Sequence, residues 1–287
     1  MQPDLRSILI SDMRKNTARI VSLLERRNLL GTLKGDRLFV ENALAEGASV
    51  VIEGPQAHYL ARVMRVGTGD AIMLCDDISG EWLGRVVSVD KRNVALSLES
   101  RTRPREAVPD LWLCAALLKK AAFDVVLEKA CELGTARIVP VITHRCVADK
   151  LNPERARSIL TEAAEQCART ALPALGDPLK LDALLAGWPE DRALFFADEN
   201  GGAPAAQAFA AHDGLAAILV GPEGGFDDGE RARIRAHPCA VPIGLGPRIL
   251  RGETAAIAAL ALWMGLAGDW QSEPSSAGAR KDVTAQP

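Results

Sequence analysis

The pattern of apolar and polar positions changes once along the chain, close to residue 105. Before this point, short alternating runs are separated by closely spaced turn signals, which is typical of the strands of a small barrel. One helical segment, residues 55–66, interrupts them, and residues 101–105 resemble a linker. The predicted strands are residues 37–40, 49–52, 71–75, 81–89 and 93–98. Residues 36–103 are therefore predicted to form a small β-barrel domain.

From residue 110 onward, fully apolar runs alternate with longer helix-forming segments. Strands that are apolar on both faces and are connected by helices indicate a parallel sheet covered on both sides. The predicted strands are residues 111–118, 137–142, 193–197, 216–220 and 240–243. The predicted helices are residues 123–133, 153–172, 204–211, 227–237 and 254–266, the second of them capped by Asn152. We predict an α/β domain over residues 108–267.

The two ends of the chain have a different character from the predicted domains. Residues 1–35 form an N-terminal extension of unassigned role, within which residues 14–30 have the pattern of a basic amphipathic helix. Residues 268–287 are polar and rich in Ser, Ala and Gly, which predicts a disordered tail.

Composition excludes several classes of protein. The apolar fraction of 48% and the charged fraction of 25% are ordinary globular values, and the net charge of -3 carries no general signature of nucleic-acid binding. The six cysteines form no C-x-x-C pair and the four histidines are scattered, so we expect neither a disulfide framework nor a metal site. Apolar runs are too short to cross a bilayer or to form a signal-peptide core. We predict a cytoplasmic protein without a membrane partner.

Two glycine-bearing segments carry the strongest chemical signal, residues 221–226 and 245–255. Each follows a predicted buried strand and leads into a predicted helix, the position at which open α/β sheets bind ligands. Glycine lets backbone groups approach a ligand closely because no Cβ stands in the way. The segments match neither a P-loop nor a complete dinucleotide fingerprint, since the third glycine is missing and Pro247 removes a backbone donor. If these glycines served only to form tight turns, the charged residues of the two segments would have no explanation. We therefore predict that the two segments form two walls of one ligand pocket.

Taken in order, these two segments resemble the paired signature of the RsmE family, the 16S ribosomal RNA uridine-N3 methyltransferases of the SPOUT superfamily. Residues 128–134 and 165–169 resemble two helical elements of that family, and residues 58–65 resemble an element of its N-terminal domain. The resemblance covers roughly residues 36–266. One departure is that residues 118–124 keep two lysines and an aspartate but lack the usual glycine and arginine, which puts an RNA contact there in doubt.

The resemblance implies a SPOUT α/β domain with a deep trefoil knot, preceded by a PUA-like β-barrel domain that binds RNA. It further implies S-adenosylmethionine as the methyl donor, an obligate homodimer, and methylation of N3 of a specific uridine in 16S ribosomal RNA of the small ribosomal subunit. The residues predicted to bind the donor are Leu219, Gly221, Pro222, Glu223, Gly224, Gly225, Leu245, Gly246, Ile249, Leu250, Arg251, Glu253, Thr254 and Ala255. Thr254 is also a candidate cap of the last helix.

Uridine N3–H is a weak acid, so a base or a cation that stabilises the uridinate must assist its methylation. Glu165 is the candidate base or orienting group, and the alternative is an i,i+4 ion pair with Arg169 on a solvated helix. Arg169, Arg248 and Arg251 are candidate catalytic contacts to the uridine carbonyls or to phosphate. The candidate RNA-binding residues are Arg37, Arg62, Arg65, Lys119, Lys120 and Gln166. Arg62 and Arg65 are expected to share one helix face and one stretch of phosphate backbone.

Two other functions remain open from the residues alone. The chain could be a non-catalytic RNA-binding or ribosome-assembly factor that keeps the fold, or a SPOUT methyltransferase that acts on another RNA. Binding of the methyl donor distinguishes the first alternative, and the identity of the methylated RNA distinguishes the second.

Overall fold

The computed structural model describes residues 33–272. The chain divides into two compact units between Pro104 and Arg105, close to the predicted boundary. The predicted N-terminal extension lies almost entirely outside the described residues, and so does the predicted tail beyond residue 272.

The first unit is a five-stranded mixed sheet in the order β1-β3-β4-β5-β2. Only the β1–β3 pair is parallel. The strands are β1 Leu33–Phe39, β2 Ser49–Ile52, β3 Ala71–Cys75, β4 Gly80–Val89 and β5 Val94–Pro104. Helix α1, Gly54–His58, continues into a π-helical turn, Tyr59–Val63, and its residue Leu60 is buried in the core with Ile72 and Leu96. The predicted strands are confirmed, and the intervening helix is present but ends at Val63 instead of residue 66.

The predicted linker over residues 101–105 is instead mostly strand, because its side chains meet a buried carboxylate. Glu81 is 3% exposed. It accepts hydrogen bonds from Thr102 Oγ1 at 2.8 Å and from Arg103 Nε at 3.1 Å. Arg37 Nε also donates to this carboxylate, and the Arg37 side chain is only 13% exposed. The structure thus gives Arg37 an internal partner in place of the predicted RNA contact.

We expect Glu81→Gln to reduce the local stability of this unit by about 3 kcal/mol, since it leaves two partly buried guanidinium groups without their counter-charge. Although burial alone raises the pKa of Glu81, the hydrogen bonds from Arg103 and Arg37 outweigh it and hold that pKa below its ordinary value. Because the pKa is lower in the folded state, ionised Glu81 stabilises the fold fully at pH values above its unfolded pKa of about 4.3. This stabilisation is lost as the pH falls through the folded-state pKa. Amide hydrogen exchange in β4 of the full chain measures the effect. A gap between wild type and variant that does not shrink below this pH contradicts the assignment.

The second unit is an all-parallel eight-stranded sheet. Its main order is β11-β13-β10-β12-β6-β7-β8, and β9 also pairs with β7. The strands are β6 Leu111–Ala116, β7 Arg137–Ile142, β8 Ala174–Leu175, β9 Leu179–Lys180, β10 Arg192–Ala197, β11 Ala203–Pro204, β12 Leu215–Val220 and β13 Ala240–Gly244. The helices are α2 Lys120–Glu132, α3 Pro153–Cys167, α4 Leu181–Ala186, α5 Ala205–Ala210, α6 Asp228–Ala236 and α7 Gly252–Leu266. The predicted α/β class and its five buried strands are confirmed.

Helix α3 begins as predicted and ends early. The Asn152 side chain accepts a hydrogen bond from the Arg155 backbone N–H at 3.0 Å, which satisfies one free donor of the first turn. The helix ends before residue 172 because Ala168 adopts a left-handed conformation with φ 66°. Arg169 therefore lies outside the helix, and the i,i+4 geometry with Glu165 is not formed.

Helix α7 is apolar nearly all round and packs against α2, α5, β12 and β6. Ala256, Ala259, Leu260 and Met264 are almost completely buried. Among residues 33–272, no helix combines the length and the apolar character that crossing a bilayer requires.

Candidate functional site

A cavity of about 460 Å³ opens where β10, β12 and β13 end, three strands that are adjacent in the sheet. Three segments line it, one after each strand: residues 197–204, 220–226 and 243–252. The two glycine segments thus form walls of one pocket, as the sequence predicts. The first segment completes the pocket and was not predicted, although its run of polar and glycine residues directly after an apolar strand is the same kind of signal.

Residues 221–226, which we call the glycine loop, are shaped by close packing. The backbone N–H of Gly225 donates to the Pro222 carbonyl at 2.9 Å. Gly225 has φ 67°, and a Cβ at this position would lie 2.5 Å from Glu199 Oε1. The loop is anchored by buried Phe226, whose ring packs edge-on against Phe196 with centroids 6.3 Å apart. A side chain at residue 225 would therefore strain the backbone and would displace the Glu199 carboxylate from its present position.

The second wall, residues 245–251, combines an open backbone with apolar side chains. Gly246 has φ 103°, and no atom lies within 4 Å of the place where its Cβ would stand. Leu245 and Leu250 line the cavity, and Ile249 does so while remaining 89% exposed. This wall offers main-chain donors and acceptors together with apolar contacts.

Helix α7 starts at the floor of the cavity, with Gly252 and Ala255 in its lining. A Cβ on Gly252 would lie 2.9 Å from Leu118 Cδ2 and 3.3 Å from the Gly221 carbonyl oxygen. The N-cap residue is Arg251, and it makes no side-chain capping bond. Thr254 lies exposed inside the helix, so the predicted cap at Thr254 is wrong.

An acidic corner forms the third wall. The Asp198 side chain is fully buried and accepts from Arg231 Nε at 3.1 Å and from Arg235 Nε at 2.9 Å. Glu199 is 42% exposed and accepts from Arg231 Nη2 at 2.9 Å. Two arginines thus offset the buried aspartate, while the carboxylate of Glu199 stands at the cavity.

The cavity brings together a majority of the residues predicted for the donor site. Those in its lining are Gly221, Pro222, Gly225, Leu245, Gly246, Ile249, Leu250 and Ala255, with Arg248 from the predicted catalytic set. Those outside it are Leu219, Glu223, Gly224, Arg251, Glu253 and Thr254. Leu219 points into the core of the sheet at 0% exposure, and Val220 takes its place in the lining.

Among the described residues, neither Glu165 nor Gln166 lines the cavity. Glu165 is half-buried and Gln166 exposed near the end of α3, and Lys119 and Lys120 are exposed at the start of α2. Arg169 is 5% exposed and donates to the carbonyls of Cys131 at 2.7 Å and Thr135 at 3.2 Å, and its Nε pairs with Glu106 at 3.1 Å. A guanidinium held in this way fixes the main chain at the end of α2, which replaces the predicted catalytic contact by a structural one.

Arg62 and Arg65 in the first unit are both exposed, as an RNA contact requires. They do not share a helix face as predicted, because the π-helical turn ends at Val63 and Arg65 follows it with φ 52°.

A contact that the sequence did not reveal joins the segment after β7 to the glycine loop and to α6. Arg145 Nη1 donates to the Gly224 carbonyl at 2.8 Å. The backbone N–H of His144 donates to Glu230 Oε1 at 2.7 Å, and the His144 ring lies 3.2 Å from Asp227 Oδ2. Asp227 and Glu230 form a capping box at the start of α6, and the Glu230 backbone N–H lowers the pKa of Asp227. These residues are far apart in sequence, so no spacing pattern could have joined them.

Family models match both units. A model of an RNA methyltransferase domain matches residues 104–264, and a model of an RNA methyltransferase PUA domain matches residues 52–99. No group of three or more His, Cys, Asp or Glu residues within 33–272 is placed to hold a metal ion.

Relatives with known names cover nearly the same range. The chain is 31% identical over 241 residues to the ribosomal RNA small subunit methyltransferase E of Bacillus subtilis, and the alignment covers 78% of this chain and 94% of the relative. It is 34% identical over 223 residues to the protein of the same name from Synechocystis, and that alignment covers 75% of this chain and 72% of the relative.

Two similar solved structures contain the same small molecule. One is the ribosomal RNA small subunit methyltransferase E of Neisseria gonorrhoeae bound to S-adenosyl methionine, with a TM-score of 0.75, 26% identity, and coverage of 82% of this chain and 99% of that chain. The other is a methyltransferase of Legionella pneumophila with bound SAM, with a TM-score of 0.75, 27% identity, and coverage of 81% and 98%.

Proposed function

Because this chain belongs to the ribosomal RNA small subunit methyltransferase E family, we propose that it transfers a methyl group from S-adenosylmethionine to N3 of a uridine in 16S ribosomal RNA. The observation that carries the proposal is the cavity at the ends of β10, β12 and β13, walled by both family-like glycine segments. Similar structures that contain S-adenosylmethionine favour a catalytic role over that of an assembly factor.

The lining suits the chemistry of this donor. Val220, Leu245 and Leu250 supply apolar contacts for an adenine ring, and Gly221 and Gly246 leave backbone groups accessible at its edges. Glu199 places a carboxylate beside a ligand that carries positive charge. When bound, the donor supplies an electrophilic methyl carbon on a sulfonium. The chain's own residues must hold that ligand, exclude water and prepare the uridine nitrogen.

Arg248 is the residue we assign to the uridine. It is exposed at the cavity, and no residue in the described part of the chain hydrogen-bonds its guanidinium. A cation at this place stabilises the negative charge that the uracil ring acquires when N3 loses its proton. Arg251, exposed at the start of α7, is the second candidate for a contact with the carbonyls or with phosphate.

We also infer a homodimer whose active sites use both subunits. Ile249 is 89% exposed beside the cavity, and Leu266 at the end of α7 is 43% exposed. These side chains lie near the two ends of α7, and a partner subunit packed along that helix would remove both from water. In this arrangement Glu165 and Gln166 act on the cavity of the other subunit, and Glu165 remains our candidate base.

We also infer a trefoil knot around the cavity, where the segments after three strands lie close together. A Cβ on Gly202 would lie 2.4 Å from the carbonyl carbon and oxygen of Pro242, so the segment after β10 passes directly against β13. Gly252 also approaches the segments after β6 and β12, at 2.9 Å from the Leu118 side chain and 3.3 Å from the Gly221 carbonyl oxygen when its Cβ position is considered. For the first unit we infer a closed PUA-like barrel that binds RNA through exposed residues such as Arg62 and Arg65.

Substitution of Arg248 tests the proposal directly. We expect Arg248→Ala to lower kcat by about 100-fold, the usual effect of removing one stabilising donor, and to change donor affinity by less than about threefold. The assay follows N3-methyluridine by mass spectrometry, with small subunits from a strain lacking the enzyme as substrate. Arg233→Ala is the matched control, since Arg233 is an exposed residue of α6 that pairs only with Asp182 among the described residues.

Three results would count against the proposal. Calorimetry showing no donor binding by the wild type would exclude the methyltransferase site. Methylation at another atom or in another RNA would leave the donor site intact and reject the acceptor. Equal activity of the Arg248 and Arg233 variants would reject the role of Arg248.

A further inference from the structure

Arg145 bridges two parts of the second unit that are separated in the sheet. It follows β7, whereas the glycine loop follows β12, and β6 lies between these strands. Its Nη1 donates to the Gly224 carbonyl at 2.8 Å. The stem of the same side chain lies against Gly224, since a Cβ there would meet Arg145 Cβ and Cδ at 3.4 Å. Arg145 therefore packs its stem against Gly224, which stays exposed, and binds its carbonyl oxygen at the same time.

The start of the Arg145 side chain is itself fixed. The preceding residue, His144, donates its backbone N–H to Glu230 at 2.7 Å, and Glu230 is 4% exposed. On the other side, Cys146 Sγ lies 3.2 Å from Thr143 Oγ1 and closes a turn. The main chain on both sides of Arg145 is thus held in place, which keeps this exposed side chain within reach of Gly224.

The bound carbonyl belongs to the peptide that leads into the cavity. Gly225, the next residue, lines the cavity in the left-handed conformation, and its N–H closes the turn to Pro222. Rotation of the peptide between Gly224 and Gly225 would turn this carbonyl away from Arg145. Glycines on both sides make such a rotation easy unless something opposes it.

We propose that Arg145 is a positioning residue that holds the glycine loop in the form that binds S-adenosylmethionine. The inference rests on the proposed function, because it names a residue that acts on the same site through Gly224. Neither Arg145 nor Gly224 is among the residues that line the cavity. Its removal should leave the cavity walls in place but allow the loop to sample forms that do not bind.

The first test is made without any ligand. Hydrogen exchange of the full chain should show the Gly225 amide exchanging about tenfold faster in Arg145→Ala than in wild type, the effect of losing one bond from a charged donor. Arg145→Lys should restore most of the protection, because an ammonium reaches the same carbonyl. Arg233→Ala, which removes an exposed arginine of α6 paired with Asp182, should leave Gly225 unchanged.

The second test uses the donor. We expect Arg145→Ala to weaken the binding of S-adenosylmethionine about tenfold and to raise its KM by the same factor. The value of kcat at saturating donor should stay within about threefold of wild type, because donor binding restores the loop. If Arg145 had only a structural role, its substitution would instead lower the melting temperature, and KM would not rise while kcat stayed near the wild-type value.

An unchanged exchange rate of the Gly225 amide in Arg145→Ala overturns the proposal, whatever the measured affinity for S-adenosylmethionine. A faster exchange rate together with an unchanged affinity shows that Arg145 holds the loop but does not affect donor binding, which also overturns the proposal. A wild-type protein that binds no S-adenosylmethionine contradicts the proposed function instead, and the exchange result then still decides whether Arg145 holds the loop.

Discussion

Replacing Gly246 by valine should abolish the binding of S-adenosylmethionine, with a loss of more than about 100-fold in affinity. Gly246 lines the cavity with φ 103°, a conformation that side chains rarely adopt. The space next to its Cα is open, so the added side chain would enter room that a ligand needs. Forcing the backbone back to negative φ would instead move the wall formed by Leu245 and Leu250. Either response removes the donor site.

Gly47 provides the matched control for this substitution. It also has a left-handed φ, 73°, with no atom within 4 Å of its Cβ position, but it belongs to the first unit. Both valine variants carry a backbone strain of about 1–3 kcal/mol. Calorimetric titration should therefore find normal donor affinity in Gly47→Val and none in Gly246→Val. Equal affinities in the two variants would show that residues 245–251 do not contact the donor.

The sequence predicts the elements of this protein well where their apolar pattern is continuous. The strand runs 137–142 and 216–220 lie within or match β7 and β12, because a strand buried on both faces needs apolar residues throughout. The sequence pattern does not predict α4 or the two-residue strands β8, β9 and β11. Elements this short have no period to detect, and the three short strands form because neighbouring strands offer free hydrogen-bonding edges.

At the site, the sequence identifies the backbone walls and misjudges several side chains. Glycines such as Gly225 and Gly246 were correctly placed because the demand for a missing Cβ is local. Arg37 and Arg169 have motif-like positions, yet both guanidinium groups are turned inward to partners far along the chain. Burial of a side chain depends on tertiary neighbours, which a motif does not contain. The same limit explains why Arg145 and the acidic wall at Asp198 were not found.

The second large effect is expected from Gly202→Ala, and it concerns the close contact between the segment after β10 and β13 beside the cavity. A Cβ at residue 202 would lie 2.4 Å from the carbonyl carbon and oxygen of Pro242 and 2.6 Å from the backbone nitrogen of Ile243. These are backbone atoms of β13, so no rotamer change can make room. Overpacking of this kind costs about 3 kcal/mol or more. Since the displaced segments are two walls of the cavity, donor binding should be lost together with stability.

Gly214→Ala is the control for this crowding effect, because it adds the same methyl group where the nearest atoms, in the His212 ring, lie 3.6 Å away. Denaturant unfolding followed by near-ultraviolet circular dichroism should show a loss of about 3 kcal/mol for Gly202→Ala and less than about 1 kcal/mol for Gly214→Ala. Lost donor binding without lost stability would mean that residue 202 acts on the ligand alone. Wild-type stability in both variants would mean that the segment after β10 does not lie against β13 at this distance, and the cavity would lose its third wall.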